Sequence, residues 1–263
     1  MTYSKQRLRE ITELKREAVR RIQTDIGEIH PSPSRKYIQE FSEEFDTFES
    51  VCQPEEILRG ILKANLVWVG DYHALAASQM LVVELLKTVS QRKANIAVAV
   101  EPVFARSQES LDRWMSGKIS EQEFLERIRY HDEWGCEWTG YKAIFETARE
   151  LRVPVYGVDC HPRNDMRSIG RRDLGVARRI ARLMQENPTQ TLIVVFGESH
   201  LASNHLPARV RAILGRKGIA PRDLVLLQNV DALYWKLQES GLVEARAVRV
   251  HEGCYCVFNA TPI

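Results

Sequence analysis

Leu66-Val67-Trp68-Val69-Gly70-Asp71-Tyr72-His73 is a short apolar run that stops at a glycine and delivers an acid, a tyrosine and a histidine. A buried strand of a parallel sheet reads this way, and such sheets hold their ligands just beyond the strands' carboxyl ends. Asp71 and His73 are therefore placed at a site. The phrase returns near the other end of the chain, where Leu192-Ile193-Val194-Val195-Phe196 runs into Gly197-Glu198-Ser199-His200. Two strands ending in Gly-acid-x-His can direct two imidazoles and two carboxylates into one crevice.

Working outward, Ala76 to Gln91 carries apolar residues with no breaker and reads as the crossover helix to a strand over Asn95 to Val100, which ends at Glu101-Pro102. Three helices are expected between Ser107 and Arg152. Ser120-Glu121-Gln122-Glu123 has the capping-box pattern that starts one of them. The stretch His131 to Tyr141, rich in aromatic and acidic groups, suits a wall beside a ligand pocket. Val153 to Val158 is a further strand, ending at Asp159-Cys160-His161, and a helix from about Ser168 to Glu186 leads to the second Gly-acid-x-His strand. Then come a helix near His205 to Leu214, a strand near Leu224 to Gln228, a short helix near Ala232 to Gln238, and a terminal strand pair turning at Gly253. Strands alternating with helices predict an α/β, doubly wound, three-layer sandwich with a mostly parallel sheet and an antiparallel edge near the C-terminus.

Upstream, Leu8, Ile11, Leu14, Ala18, Ile22 and Ile26 recur at three- and four-residue steps among charges, the pattern of an amphipathic helix. After the break at Pro31-Ser32-Pro33, Ser34 is expected to cap a second helix through about Phe45. The expected organisation is a helical extension over 1–50 and an α/β domain over 51–263.

The 37 Lys and Arg against 35 Asp and Glu give a net charge of +2, so no global field argues for a nucleic acid partner or a membrane surface. The five cysteines are an odd number in a chain too large to need staples, so reduced thiols and a cytoplasmic setting are expected. No apolar run of spanning length is present.

Successive strand ends deliver Asp71 with His73, Glu101, Asp159 with His161, and Glu198 with His200. In an open parallel sheet these ends share one rim. Such a set can bind a divalent metal, with His73, Glu101, His200 and Asp159 as ligands and a coordination position left for water. It can equally act without metal, His73 serving as general base beside Glu101. His131, His205 and His251 read as surface or capping groups. Of the arginines that follow the third strand, the first few, Arg163 foremost, suit the grip on an anionic ligand, and the later ones a solvated helix face.

These phrases resemble a known family. The strand into Gly70-x-x-His73, Ser78-Gln79 on the next helix, Ala99-Val100-Glu101, Gln108-x-x-Leu111-Asp112-Arg113-Trp114-Met115-Ser116-Gly117-Lys118-Ile119-Ser120-Glu121-x-Glu123-Phe124-Leu125, Trp134-Gly135-x-x-Trp138-x-x-Tyr141, Val153-Pro154-Val155 and Gly197-Glu198-Ser199-His200-Leu201 are similar to blocks of the ChaN-like haem-binding uptake family. That family is grouped with Tiki, TraB and erythromycin-esterase-like proteins. The resemblance covers roughly Ala64 to Pro207. It implies an α/β sandwich that binds a small molecule. In the haem-binding branch it implies a tyrosine ligand, for which Tyr72, Tyr130 and Tyr141 are the candidates, and a homodimer. In the hydrolytic relatives it implies a site on histidines and glutamate, with metal in the Tiki branch. Position by position, His73, Glu101 and His200 match the residues of that site. The leading expectation is haem or a metal ion bound at the strand ends. The alternatives are a hydrolase of esterase or peptidase type using His73 and Glu101, and a non-catalytic interaction module.

Overall fold

A computed structural model describes residues 32–161 and 169–260. The helix expected over Ser4 to Ile26, and Arg163, lie outside the described residues. Eight strands form one sheet: β1 (Ser50–Val51), β2 (Leu66–Asp71), β3 (Ile96–Phe104), β4 (Val155–Asp159), β5 (Thr191–Gly197), β6 (Asp223–Gln228), β7 (Ala247–His251) and β8 (Cys254–Val257), in the order β1-β7-β8-β6-β2-β5-β3-β4. The six strands from β8 to β4 run parallel, and β7 and β1 add the antiparallel edge. The turn between β7 and β8 depends on Gly253, whose φ of +75° a side chain rarely adopts. β1, at two residues, carries no periodicity that sequence reading could detect. It falls across the expected boundary at residue 50.

Side-chain alternation along the strands builds two cores, one on each face. Val67, Val69, Val98, Val100, Ile193 and Val195 face a layer of α2 (Pro54–Lys63), α3 (Ala76–Ser90), α4 (Gln108–Met115), α5 (Glu121–Ile128), α6 (Tyr130–Glu133) and α7 (Trp138–Glu150). Leu66, Trp68, Ala97, Ala99, Leu192, Val194 and Phe196 face α1 (Ser32–Glu44), α8 (Ile169–Glu186), α9 (Leu206–Gly215) and α10 (Asp231–Glu239). α1 already runs from Ser32, so Ser34 is within it and not its cap. Among the described residues no helix is long and apolar enough to cross a membrane.

The first layer takes its shape from aromatic packing. Trp114 stacks on Phe124 at 4.6 Å, and Trp138 and Phe145 close on both. This cluster fixes α4, α5 and α7 against one another. α6 is an extra single turn where the sequence suggested only a loop, entered through Arg129 in the left-handed region at φ 53°. α5 begins as its capping box requires, with the Ser120 hydroxyl accepting from the Glu123 amide at 3.1 Å.

Candidate functional site

β2 runs between β5 and β6, while its own chain crosses over to β3, so the connections leave β2 and β5 in opposite directions. The crevice of a doubly wound sheet lies at such a point, beyond the carboxyl ends. Asp71 has the same alternation as Val67 and Val69 and faces α3 and α7. There Gln79 donates to its Oδ1 at 2.6 Å and the Tyr141 hydroxyl to its Oδ2 at 2.5 Å. His73 Nδ1 lies 2.8 Å from Asp71 Oδ2 and 3.1 Å from the Tyr141 hydroxyl. The Tyr141 proton is spent on Asp71, so the network assigns the imidazole proton to Nδ1, as donor to both oxygens. Nε2 is then the basic nitrogen. The His73 side chain is 32% exposed, and Trp134 meets its ring edge-on at 4.6 Å.

Glu101 has the opposite alternation, that of Ala97 and Ala99, and it sits where the regular pairing of β3 with β5 ends at Val100. It is met there by α8. Arg172 donates to Glu101 Oε1 and, through Nε and Nη2, to both oxygens of Asp159 at 2.8 and 2.9 Å. Glu101 Oε2 accepts from the Gly197 amide at 2.6 Å and lies 3.8 Å from His73 Nε2, beyond direct hydrogen bonding. A Cβ on Gly197 would stand 3.2 Å from His73 Nε2 and 3.4 Å from Glu101 Oε2, so the glycine keeps open the gap between base and carboxylate. Burial lowers the His73 pKa, but Glu101 and Asp71 outweigh it and hold it above the usual histidine value.

His200 lies on the far side of the guanidinium. Its Nε2 is 3.5 Å from Arg172 Nη1 and its Nδ1 is 2.6 Å from Asp173 Oδ1. Tyr37 of α1 donates to Asp173 Oδ2 at 3.1 Å and stacks on His205 at 3.7 Å. Burial and the Asp173 charge push the Tyr37 hydroxyl up to about 12. His205, expected as a surface or capping group, stands at the N-cap position of α9 without a side-chain cap bond, buried and bonded to Glu40 at 2.8 Å.

The rim thus sets His73 and Glu101 across a gap of 3.8 Å, with His200 behind Arg172. The metal set expected from the sequence does not fit. Among the described residues no group of three or more His, Cys, Asp and Glu side chains can hold a metal ion. The reason is that Arg172 holds the space among Glu101, Asp159 and His200, where a cation would stand. Tyr141, expected as a cofactor ligand, is buried under Asp71, and burial with that carboxylate raises its pKa far beyond the phenolate range. Tyr130 is also buried, whereas Tyr72 is 50% exposed at the crevice mouth. Its hydroxyl too is held protonated, by burial and then by Asp231 and Glu198. Tyrosine ligates haem iron as the phenolate. The rim fits such a ligand poorly at Tyr130 and Tyr141, and admits one at Tyr72 only against that shift. His161 is exposed beside Phe104.

Sequence reading missed Arg172 and Asp173 because they lie in an arginine-rich run that reads as solvated. The signal was their register: with Ile169, Val176, Ala177 and Ile180 they occupy the buried stripe of α8.

Residues 57–177 match a family model described as haem-binding uptake, Tiki superfamily, ChaN. No curated protein sequence matches the chain. Among solved structures, ChaN of Campylobacter jejuni, described with cofacial haem binding, superposes with a TM-score of 0.50 at 14% identity, over 70% of this chain and 89% of that one. The type III effector HopBA1 superposes with a TM-score of 0.52 at 13% identity, over 82% and 98%. At these identities the structural likeness is one of fold.

Proposed function

We propose, for a chain whose residues 57–177 belong to the ChaN-like haem-binding uptake family, that the strand-end crevice performs acid–base hydrolysis of a small molecule with His73 as general base. The observation that supports this best is the Asp71–His73 pair. Asp71 holds Nδ1 at 2.8 Å, which orients the ring and leaves Nε2 turned to the gap beside Gly197. A water in that gap gives its proton to Nε2 as it attacks the substrate. The imidazolium so formed lies between Asp71 and Glu101, whose charges raise its pKa. Glu101, fixed by Arg172 and the Gly197 amide, acts here through charge and not as a nucleophile.

A screen of the full chain with simple esters and amides tests this. Turnover that falls about 100-fold or more in His73→Ala supports it. Turnover indifferent to His73, or none in the wild type, ends it. A second reading, haem held at the crevice mouth, is favoured by the exposure of Tyr72 together with the family match. Its test is haemin titration: a Soret shift lost in Tyr72→Phe supports it, and an unshifted spectrum in the wild type removes it.

A further inference from the structure

Glu198 is a partly buried acid for which the base mechanism has no use. It follows Gly197, the residue paired with Asp71 across β2 and β5, and so enters the rim beside His73. Its Cβ stands 3.2 Å from the place where a Cβ of Gly70 would be, so Gly70 is what lets its side chain lie over the end of β2. Its Oε2 is closed off from solvent and, among the described residues, has no hydrogen-bond partner. Burying a carboxylate oxygen unpaired is costly, whereas a neutral carboxyl there costs far less and carries a proton to give. The groups that bear on it electrostatically are Asp231 at the start of α10 and His73 and Asp71 from the end of β2. Burial, followed by the charges of Asp231 and Asp71, pushes its carboxyl up to about 8 against the opposing pull of His73.

We propose that Glu198 is the general acid of this site and that it fits the crevice to substrates with poor leaving groups, alkyl esters or amides. This assignment rests on His73 being the base. The step balances as follows: a water oxygen pair forms the bond to the acyl carbon, and the water proton passes to His73 Nε2. The bond from carbon to the leaving oxygen or nitrogen breaks with its electron pair on the leaving atom, which takes the Glu198 proton. The proton on His73 then returns the Glu198 carboxylate to its acid form. An activated aryl ester, whose phenolate leaves without a proton, needs no such help. Two carboxyl environments on one rim, Asp71 hydrogen-bonded three times and Glu198 with an enclosed oxygen that no described residue meets, divide the roles.

The test compares wild type with Glu198→Gln on an alkyl ester and a nitrophenyl ester of the same acid. The expected result is a loss of about 100-fold in kcat on the alkyl ester, with the nitrophenyl ester changed only a few-fold. An infrared band of a neutral carboxyl near neutral pH, missing from Glu198→Gln, is expected independently of activity. Equal losses on the two esters in an active enzyme, or no such band, overturn the role of Glu198 while leaving His73 as base. A wild type inert on both esters ends the hydrolytic reading, and this assignment with it.

Discussion

His73 and His200 end the same sequence phrase, a strand into Gly-acid-x-His, yet the fold gives them opposite surroundings. His73 reaches the crevice, with Nδ1 held by Asp71 and Nε2 beside a gap. His200 is sealed beneath α8 and α1, its two nitrogens turned to Arg172 and Asp173. What differs is the cover. The α3 and α7 layer meets the strand ends with Gln79, Tyr141 and Trp134, which hold His73 from behind and at its edge. The other layer brings a guanidinium and a second carboxylate, which fill the space over His200. One motif thus leaves a ring nitrogen open to the crevice on one face and encloses both ring nitrogens on the other. The lesson is that a strand-end histidine keeps a nitrogen available only if its covering helices leave it unclaimed.

The most damaging way to break this contrast is at the joint between the two sides. Arg172→Ala takes the guanidinium from two buried carboxylates, Glu101 and Asp159, and it should cost about 3–5 kcal/mol in urea denaturation. A loss below about 1 kcal/mol would show that the joint is not what holds the rim together. Next come the histidines themselves. His73→Ala should remove hydrolytic turnover while changing stability by less than about 1 kcal/mol, because its ring is partly exposed. His200→Ala should cost about 1–3 kcal/mol by leaving Asp173 short of a partner. Equal stability losses in the two variants would erase the distinction. Smaller again, Tyr37→Phe removes one hydrogen bond to Asp173 and should cost about 1 kcal/mol, without altering turnover at saturating substrate.

The smallest expected effect is in pH. The folded-state pKa of His73 is raised above the unfolded value of about 6.5, so the stability it contributes is full below that value and is lost as pH rises through the folded pKa. The stability gap between wild type and His73→Gln should therefore narrow from about pH 6 to alkaline pH. As a base, His73 must be neutral, so the acid limb of kcat/KM should lie above about 6.5 and move down in Asp71→Asn, with the imidazole proton shifts following in NMR. A limb unmoved by that substitution would falsify the pairing.

Much of this was legible in the chain. The apolar runs at Leu66 to Val69 and Leu192 to Phe196, the helix stripes between them and the glycine turn at Gly253 follow from local periodicity and backbone sterics. They fixed a mostly parallel α/β sheet with an antiparallel C-terminal edge. The same phrases placed His73 just past one strand end and Glu101 at another; in the structure β3 runs on to Phe104, and Glu101 lies where its pairing with β5 stops, 3.8 Å from His73. The two-residue strand β1 and the single turn α6 were not legible, because neither is long enough to show a period.

Only the tertiary structure decided what the rim can do. Sequence determines which face a strand residue takes, since alternation is built into the backbone: Asp71 with Val69, Glu101 with Ala99. It does not determine which distant side chain waits on that face. Arg172, far along the chain from Glu101, arrives through the packing of α8, and its charge claims the space that four well-spaced His and acid ligands would otherwise offer to a metal. That choice depends on helix placement across the sheet, a long-range term that no local pattern records.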